Sequence, residues 1–136
     1  MTKTQGQCLC GTITFQVTGE PAMQGNCHCS DCKRATGASY ATIASFKEAQ
    51  FELLSGTPKR FEHVADSGSQ MTKAFCPDCG SLLFGSNSRR EGVVSVYAGS
   101  LEDPEWLKPQ FNVWTSRAFS CTPLDPETAQ FERGKQ

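Results

Sequence analysis

The chain has 136 residues, enough for one domain with a hydrophobic core of its own. Its 38% hydrophobic and 20% charged residues exclude a disordered chain. Thirteen basic residues against fourteen acidic ones leave a net charge of −1, so no global field draws in nucleic acid or an anionic membrane surface.

At the N-terminus, MTKTQGQCLCGTITF lacks the basic-then-apolar pattern of a secretory signal. No apolar stretch approaches the length of a membrane span. The expectation is a cytoplasmic protein with no membrane and no nucleic-acid partner. Residues 12–17 alternate apolar and polar with period two, which predicts a half-buried strand. Runs rich in valine, isoleucine, threonine and aromatics predict further short strands at 39–46, 71–75, 81–84, 93–98 and 111–114.

Helical signals are local. Ser45 with Glu48 fits a capping box, and Asp103 before Pro104 and Glu105 fits an N-cap followed by a proline at the first helical position. Asp31 is placed to cap a turn through Lys33, Arg34 and Ala35. No repeat or linker divides the chain. The expectation is a mainly β single domain over 1–136, with a core over about 4–121 and a tail over about 122–136 that wraps or frays.

Eight cysteines are the strongest signal. In a reducing compartment dense cysteines point to metal before disulfides, and their grouping agrees with metal. Cys8 and Cys10 form a C-x-C pair, Cys76 and Cys79 a C-x-x-C pair, and Cys27, Cys29 and Cys32 crowd one short segment; Cys121 stands alone. Thiolates on zinc, each about 2.3 Å from the metal in a tetrahedron, lie about 3.8 Å apart. An extended C-x-C places both sulfurs on one face, and Pro77 and Gly80 supply the tight turn that a C-x-x-C needs. Cys8, Cys10, Cys76 and Cys79 therefore read as one closed, structural zinc site.

Cys27, Cys29 and Cys32 offer three thiolates, and three protein ligands leave a tetrahedral position open. His28 lies between two cysteines of a C-x-C, so its side chain is expected to point away from theirs. His63 has no motif around it and reads as ordinary packing or solvent exposure. An open position among soft donors suits a small thiol, held as its nucleophilic thiolate. Lys33 and Arg34 would offset the thiolates or hold a carboxylate of that thiol, or else form a solvated basic face.

The order of motifs resembles a known family. Gly6, Cys8, Cys10 and Gly11, then the NCHCSDCKRATG segment of 26–37, then the FCPDCG segment of 75–80 resemble the glutathione-dependent formaldehyde-activating (GFA) family, which includes centromere protein V. The likeness extends to SGTPKRF at 55–61, to Gly99 and Leu101, and to Val113 and Trp114. It implies a β-tent fold of short antiparallel sheets converging on zinc. It also implies structural zinc on Cys8, Cys10, Cys76 and Cys79, catalytic zinc on Cys27, Cys29 and Cys32, and two zinc ions per chain. The implied reaction joins glutathione and formaldehyde into S-hydroxymethylglutathione, or breaks that adduct as a carbon–sulfur lyase, with glutathione or a similar thiol as the partner. One departure is Phe119, Ser120 and Cys121, where the resemblance leads us to expect a proline–aromatic pair. Cys121 reads as a buried small hydrophobe, with a late fourth ligand to the open site as its functional alternative. A thiol carrier without turnover and a zinc-stabilised interaction module are the competing functions. The isolated pairs Lys33–Arg34 and Arg89–Arg90 weaken the second of these where nucleic acid is concerned.

Overall fold

In the computed structural model, which describes residues 1–134, the alternation at 12–17 becomes a strand, Thr14–Thr18, with Phe15 and Val17 wholly buried. It is β2, the centre of a three-stranded antiparallel sheet between β1 (Lys3–Gln7) and β5 (Phe51–Ser55). A second sheet has eight strands. From one edge to the other they are β11 (Ala129–Gln130), β10 (Phe111–Val113), β3 (Met23–Cys27), β4 (Ala41–Lys47), β9 (Val93–Tyr97), β8 (Leu82–Asn87), β7 (Gln70–Phe75) and β6 (Lys59–Val64). Neighbours are antiparallel except at β10, which runs parallel to both β3 and β11. The fold is thus mainly β, as expected, but the larger sheet is mixed.

The core lies between the sheets. Ile13, Phe15 and Val17 meet Ala44, Phe46, Leu83, Phe84 and Val96. Phe15 stacks on Phe51 at 5.3 Å and meets Phe84 edge-on at 5.9 Å. Each large side chain buried in this way contributes roughly 1.5–3 kcal/mol.

All six runs predicted as strands are strands, with ends moved by up to three residues. Five further strands were not legible in the pattern, and two of them share a cause. In β1 the buried positions are Thr4 and Gly6, and the Phe15 ring lies over Gly6 so closely that an added Cβ would sit 2.3 Å from it. In β3 the one buried residue is Gly25, covered in the same way by the Phe111 ring, again at 2.3 Å. The apolar contact at these positions comes from the neighbouring strand's ring.

The α-helix α1 (Ser30–Thr36) starts two residues earlier than a cap at Asp31 requires: Cys29 is the N-cap, its sulfur accepting from the Cys32 N–H at 3.3 Å. Asp31 instead lies in the first turn, where a carboxylate favours the helix dipole. Gly37 closes the helix in the left-handed conformation at φ 70°. Two other helix signals fail. Ser45 is buried within β4, and Lys47 precedes a single 3-10 turn at Glu48–Gln50, its N–H donating to Gln50 Oε1. Asp103 has φ 42°, and only one turn follows, from the Leu107 N–H to Pro104 O. Tertiary packing takes over there: Trp106 covers Phe46 edge-on at 5.5 Å, and its Nε1–H donates to Thr4 Oγ1. Near the C-terminus β11 pairs with β10, and the Trp114 N–H donates to Arg133 O. Among the described residues no helix is long and apolar enough to cross a membrane.

Candidate metal centres and the adjoining cleft

Cys8, Cys10, Cys76 and Cys79 come from two distant segments, and their sulfurs all lie within 4.8 Å of one another. Cys8 and Cys10 are 3.6 Å apart, and Cys10 and Cys76 are 3.7 Å apart, close to the spacing of sulfurs around zinc. Turns hold each pair: the Gly11 N–H donates to Cys8 O, and the Gly80 N–H, at φ 77°, donates to Cys76 O. Ser81, a residue that motif reading passed over, joins the two knuckles. Its hydroxyl accepts from the Leu9 N–H at 2.9 Å and lies 3.2 Å from the Cys79 sulfur. That hydroxyl, with the N–H groups of Ser81 and Cys10, lowers the Cys79 thiol to about 5, which favours the thiolate a metal takes.

The sulfurs of Cys27, Cys29 and Cys32 form a second group, also within 4.8 Å of one another. Cys27 ends β3, Cys29 caps α1 and Cys32 lies in its first turn. The Cys29 thiol is shifted downward. Hydrogen bonds from the Cys27 and Cys32 thiols, helped by the N–H groups of Cys32 and Asp31 and opposed by burial, bring it down to about 2. Cys27 is pushed up to about 12, chiefly through its bond to Cys29, and Cys32 is raised further by both neighbours. Beside them Tyr97 is buried; burial first, then the charge of Cys32, Cys27 and Cys29, raises its pKa, so its O–H keeps its proton.

These sulfurs open onto a cleft of about 370 Å³ that follows β3 from Met23 to Cys27. The large sheet curls until its edge strand β6 faces α1, with His63 Nδ1 3.8 Å from Asp31 Oδ2. His63 therefore lines the cleft, and its Nε2 is 2.6 Å from Lys73 Nζ. Lys33 and Arg34 do not line it. Lys33 Nζ donates to Arg117 O and sits 4.0 Å from the Phe119 ring centroid, and Arg34 is exposed. The cations lining the cleft are Lys73, Arg89 and Arg90. Only the fold could show this, because β6 and β7 reach the cysteines through sheet curvature.

His28 points away from the sulfurs, as the C-x-C geometry requires. It is buried, with Nε2 2.9 Å from Asn112 Oδ1 and its ring 4.9 Å from that of Tyr40. Cys121 belongs to neither group and is exposed, where burial was expected. Cys121→Ala should therefore leave metal content unchanged and shift stability by no more than about 0.5 kcal/mol; atomic absorption and a thermal melt check both.

The chain matches the family described as glutathione-dependent formaldehyde-activating enzyme over residues 3–117. A Fusarium vanettenii protein whose name carries that family description is 24% identical over 135 residues, spanning 93% of this chain and 72% of its own. Another, from Aspergillus flavus, is 25% identical over 134 residues, spanning 92% of this chain and 69% of its own. The crystal structure of a Rhodobacter sphaeroides protein covers 93% of this chain and 98% of that one, with a TM-score of 0.58 and 19% identity, a likeness of fold.

Proposed function

Because the chain belongs to the glutathione-dependent formaldehyde-activating enzyme family, we propose that it makes and breaks the carbon–sulfur bond between glutathione and formaldehyde at Cys27, Cys29 and Cys32. The observation that carries this reading is the three-sulfur group facing a cleft, with no fourth His, Cys, Asp or Glu atom joining it among the described residues. The donor set fits zinc: soft thiolates, close together, one position short of a tetrahedron. Cys8, Cys10, Cys76 and Cys79 would hold a second, closed zinc that ties the N-terminal knuckle to the large sheet. When bound at the three-sulfur group, zinc would lower the pKa of a fourth, substrate thiol and keep it as thiolate.

The chain's own residues do the rest. Tyr97, protonated and lining the same cleft, would donate to the oxygen as sulfur adds to the aldehyde carbon. Addition forms one carbon–sulfur bond, turns the carbonyl into a hydroxyl and yields S-hydroxymethylglutathione. Breakdown reverses these changes and returns thiol and formaldehyde, which is carbon–sulfur lyase chemistry. A carrier would use the same residues without turnover, and following formaldehyde consumption above the uncatalysed background distinguishes the two.

Binding tests the sulfur's role directly. Glutathione should bind much more tightly than S-methylglutathione, which cannot ionise, and calorimetry in buffers of different ionisation enthalpy should reveal about one proton released. Apparent affinity should rise with pH until the free thiol ionises itself, near 8.5. Equal affinity for the two ligands would mean that the sulfur does not meet a metal.

A further inference from the structure

Lys73 is the most unusual charged group in the cleft. It is only 6% exposed, yet no carboxylate lies within ion-pair distance of it among the described residues. Its ammonium carries three hydrogens, and its one hydrogen-bond partner is His63 Nε2. That nitrogen is an acceptor here, which places the ring's proton on Nδ1, facing Asp31. The ring thus separates the ammonium from the nearest acid. A buried cation without a counter-charge is costly, and this one lines a cleft together with Arg89 and Arg90, neither of which is paired with an acid among the described residues. Among the described residues Asp31 is the one carboxylate in the lining. A cleft with this balance, in a chain of net charge −1, concentrates anions.

The sheet register sets the distance scale. Met23, Ser45, Ser95, Gly85 and Lys73 form one cross-strand row, and all five line the cleft. Arg90 marks the Met23 end of that row, its Nη1 3.5 Å from Met23 Sδ. Cys27 is four residues farther along β3, about 13 Å at ~3.3 Å per residue. That interval separates the sulfurs from the Arg90 end of the row; Lys73 lies at the opposite end, on β7.

We infer that Lys73 anchors a carboxylate of the thiol substrate, so that the cleft selects thiols that carry a carboxylate over neutral ones. Lys73 is a specificity-determining residue; the His63 ring stands between its ammonium and Asp31, the neighbour of Cys32. The assignment rests on the reading of Cys27, Cys29 and Cys32 as the end of the cleft that holds the thiol.

Calorimetry on the zinc-loaded protein tests it with four ligands: glutathione, its diethyl ester, S-methylglutathione and 2-mercaptoethanol. The unaltered protein should bind glutathione roughly tenfold to hundredfold more tightly than the diester, the range of one charge-assisted hydrogen bond. Because the ester comparison needs no substitution, it holds even if a variant folds poorly. Lys73→Gln should abolish that preference and leave 2-mercaptoethanol binding unchanged, and Lys73→Arg should restore part of it. Equal affinity for glutathione and the diester in the unaltered protein overturns the inference. So does a Lys73→Gln variant that weakens every thiol alike, since that is a structural effect. If S-methylglutathione binds as tightly as glutathione and Lys73→Gln weakens both, the anion site stands and the sulfur chemistry falls. If glutathione far exceeds S-methylglutathione but Lys73→Gln changes neither, the sulfur chemistry stands and Lys73 falls. No binding of glutathione at all overturns both.

Discussion

Cys79→Ser is expected to yield a chain that fails to fold stably, with its thermal transition lost or broadened and its zinc content reduced by at least one ion. Structural zinc in small domains contributes apparent binding free energies of about 10–16 kcal/mol, against a total domain stability of about 5–15 kcal/mol. Even a partial loss is therefore decisive. The position magnifies the effect: the four sulfurs close a loop between Cys10 and Cys76, which are 66 residues apart in sequence, and Ser81 bonds to both knuckles. Circular dichroism melts with metal quantification provide the measurement. A variant that melts within a few degrees of the parent would remove the structural role from this group.

Cys29→Ser is expected to do the opposite, keeping the fold while losing one zinc and bringing activity down to the uncatalysed background. The choice of serine matters. The Cys29 sulfur caps α1 by accepting from the Cys32 N–H, and loss of a cap costs about 0.5–2 kcal/mol. Serine is a good N-cap in its own right, so it keeps that hydrogen bond while removing the soft metal ligand. Cys29→Ala would remove both and confuse the two effects. The melting temperature of Cys29→Ser should fall by only a few degrees, about 2–8 °C for each 1 kcal/mol in domains of this size. If Cys29→Ser and Cys79→Ser melt alike, the division into a structural and a reactive group is wrong.

The two experiments separate sites that sequence spacing had already grouped, because metal-ligand spacing is a local property. C-x-C and C-x-x-C pairs bring their sulfurs together across only two or three peptide links, and turn glycines such as Gly80 reinforce the pattern. Strand alternation is local too, which is why Phe15 and Val17 in β2 were legible. The failures lie where a residue's role is supplied from elsewhere in the chain. Gly6 and Gly25 hold inward strand positions by receiving the rings of Phe15 and Phe111, so periodicity, which reads what a side chain buries for itself, passes over β1 and β3. Asp103, Pro104 and Glu105 carry a helix signal that the docking of Trp106 overrides. His63 looked like an ordinary histidine because nothing near it in sequence explains it. Only the curl of an eight-stranded sheet places it between Lys73 and Asp31. The sequence by itself determined which sulfurs could share a metal and which segments pair as strands from their own side chains. The tertiary structure alone decided what the three-sulfur group of Cys27, Cys29 and Cys32 faces, since the cations of the cleft are set by strand register and sheet curvature, and no short-range spacing encodes either.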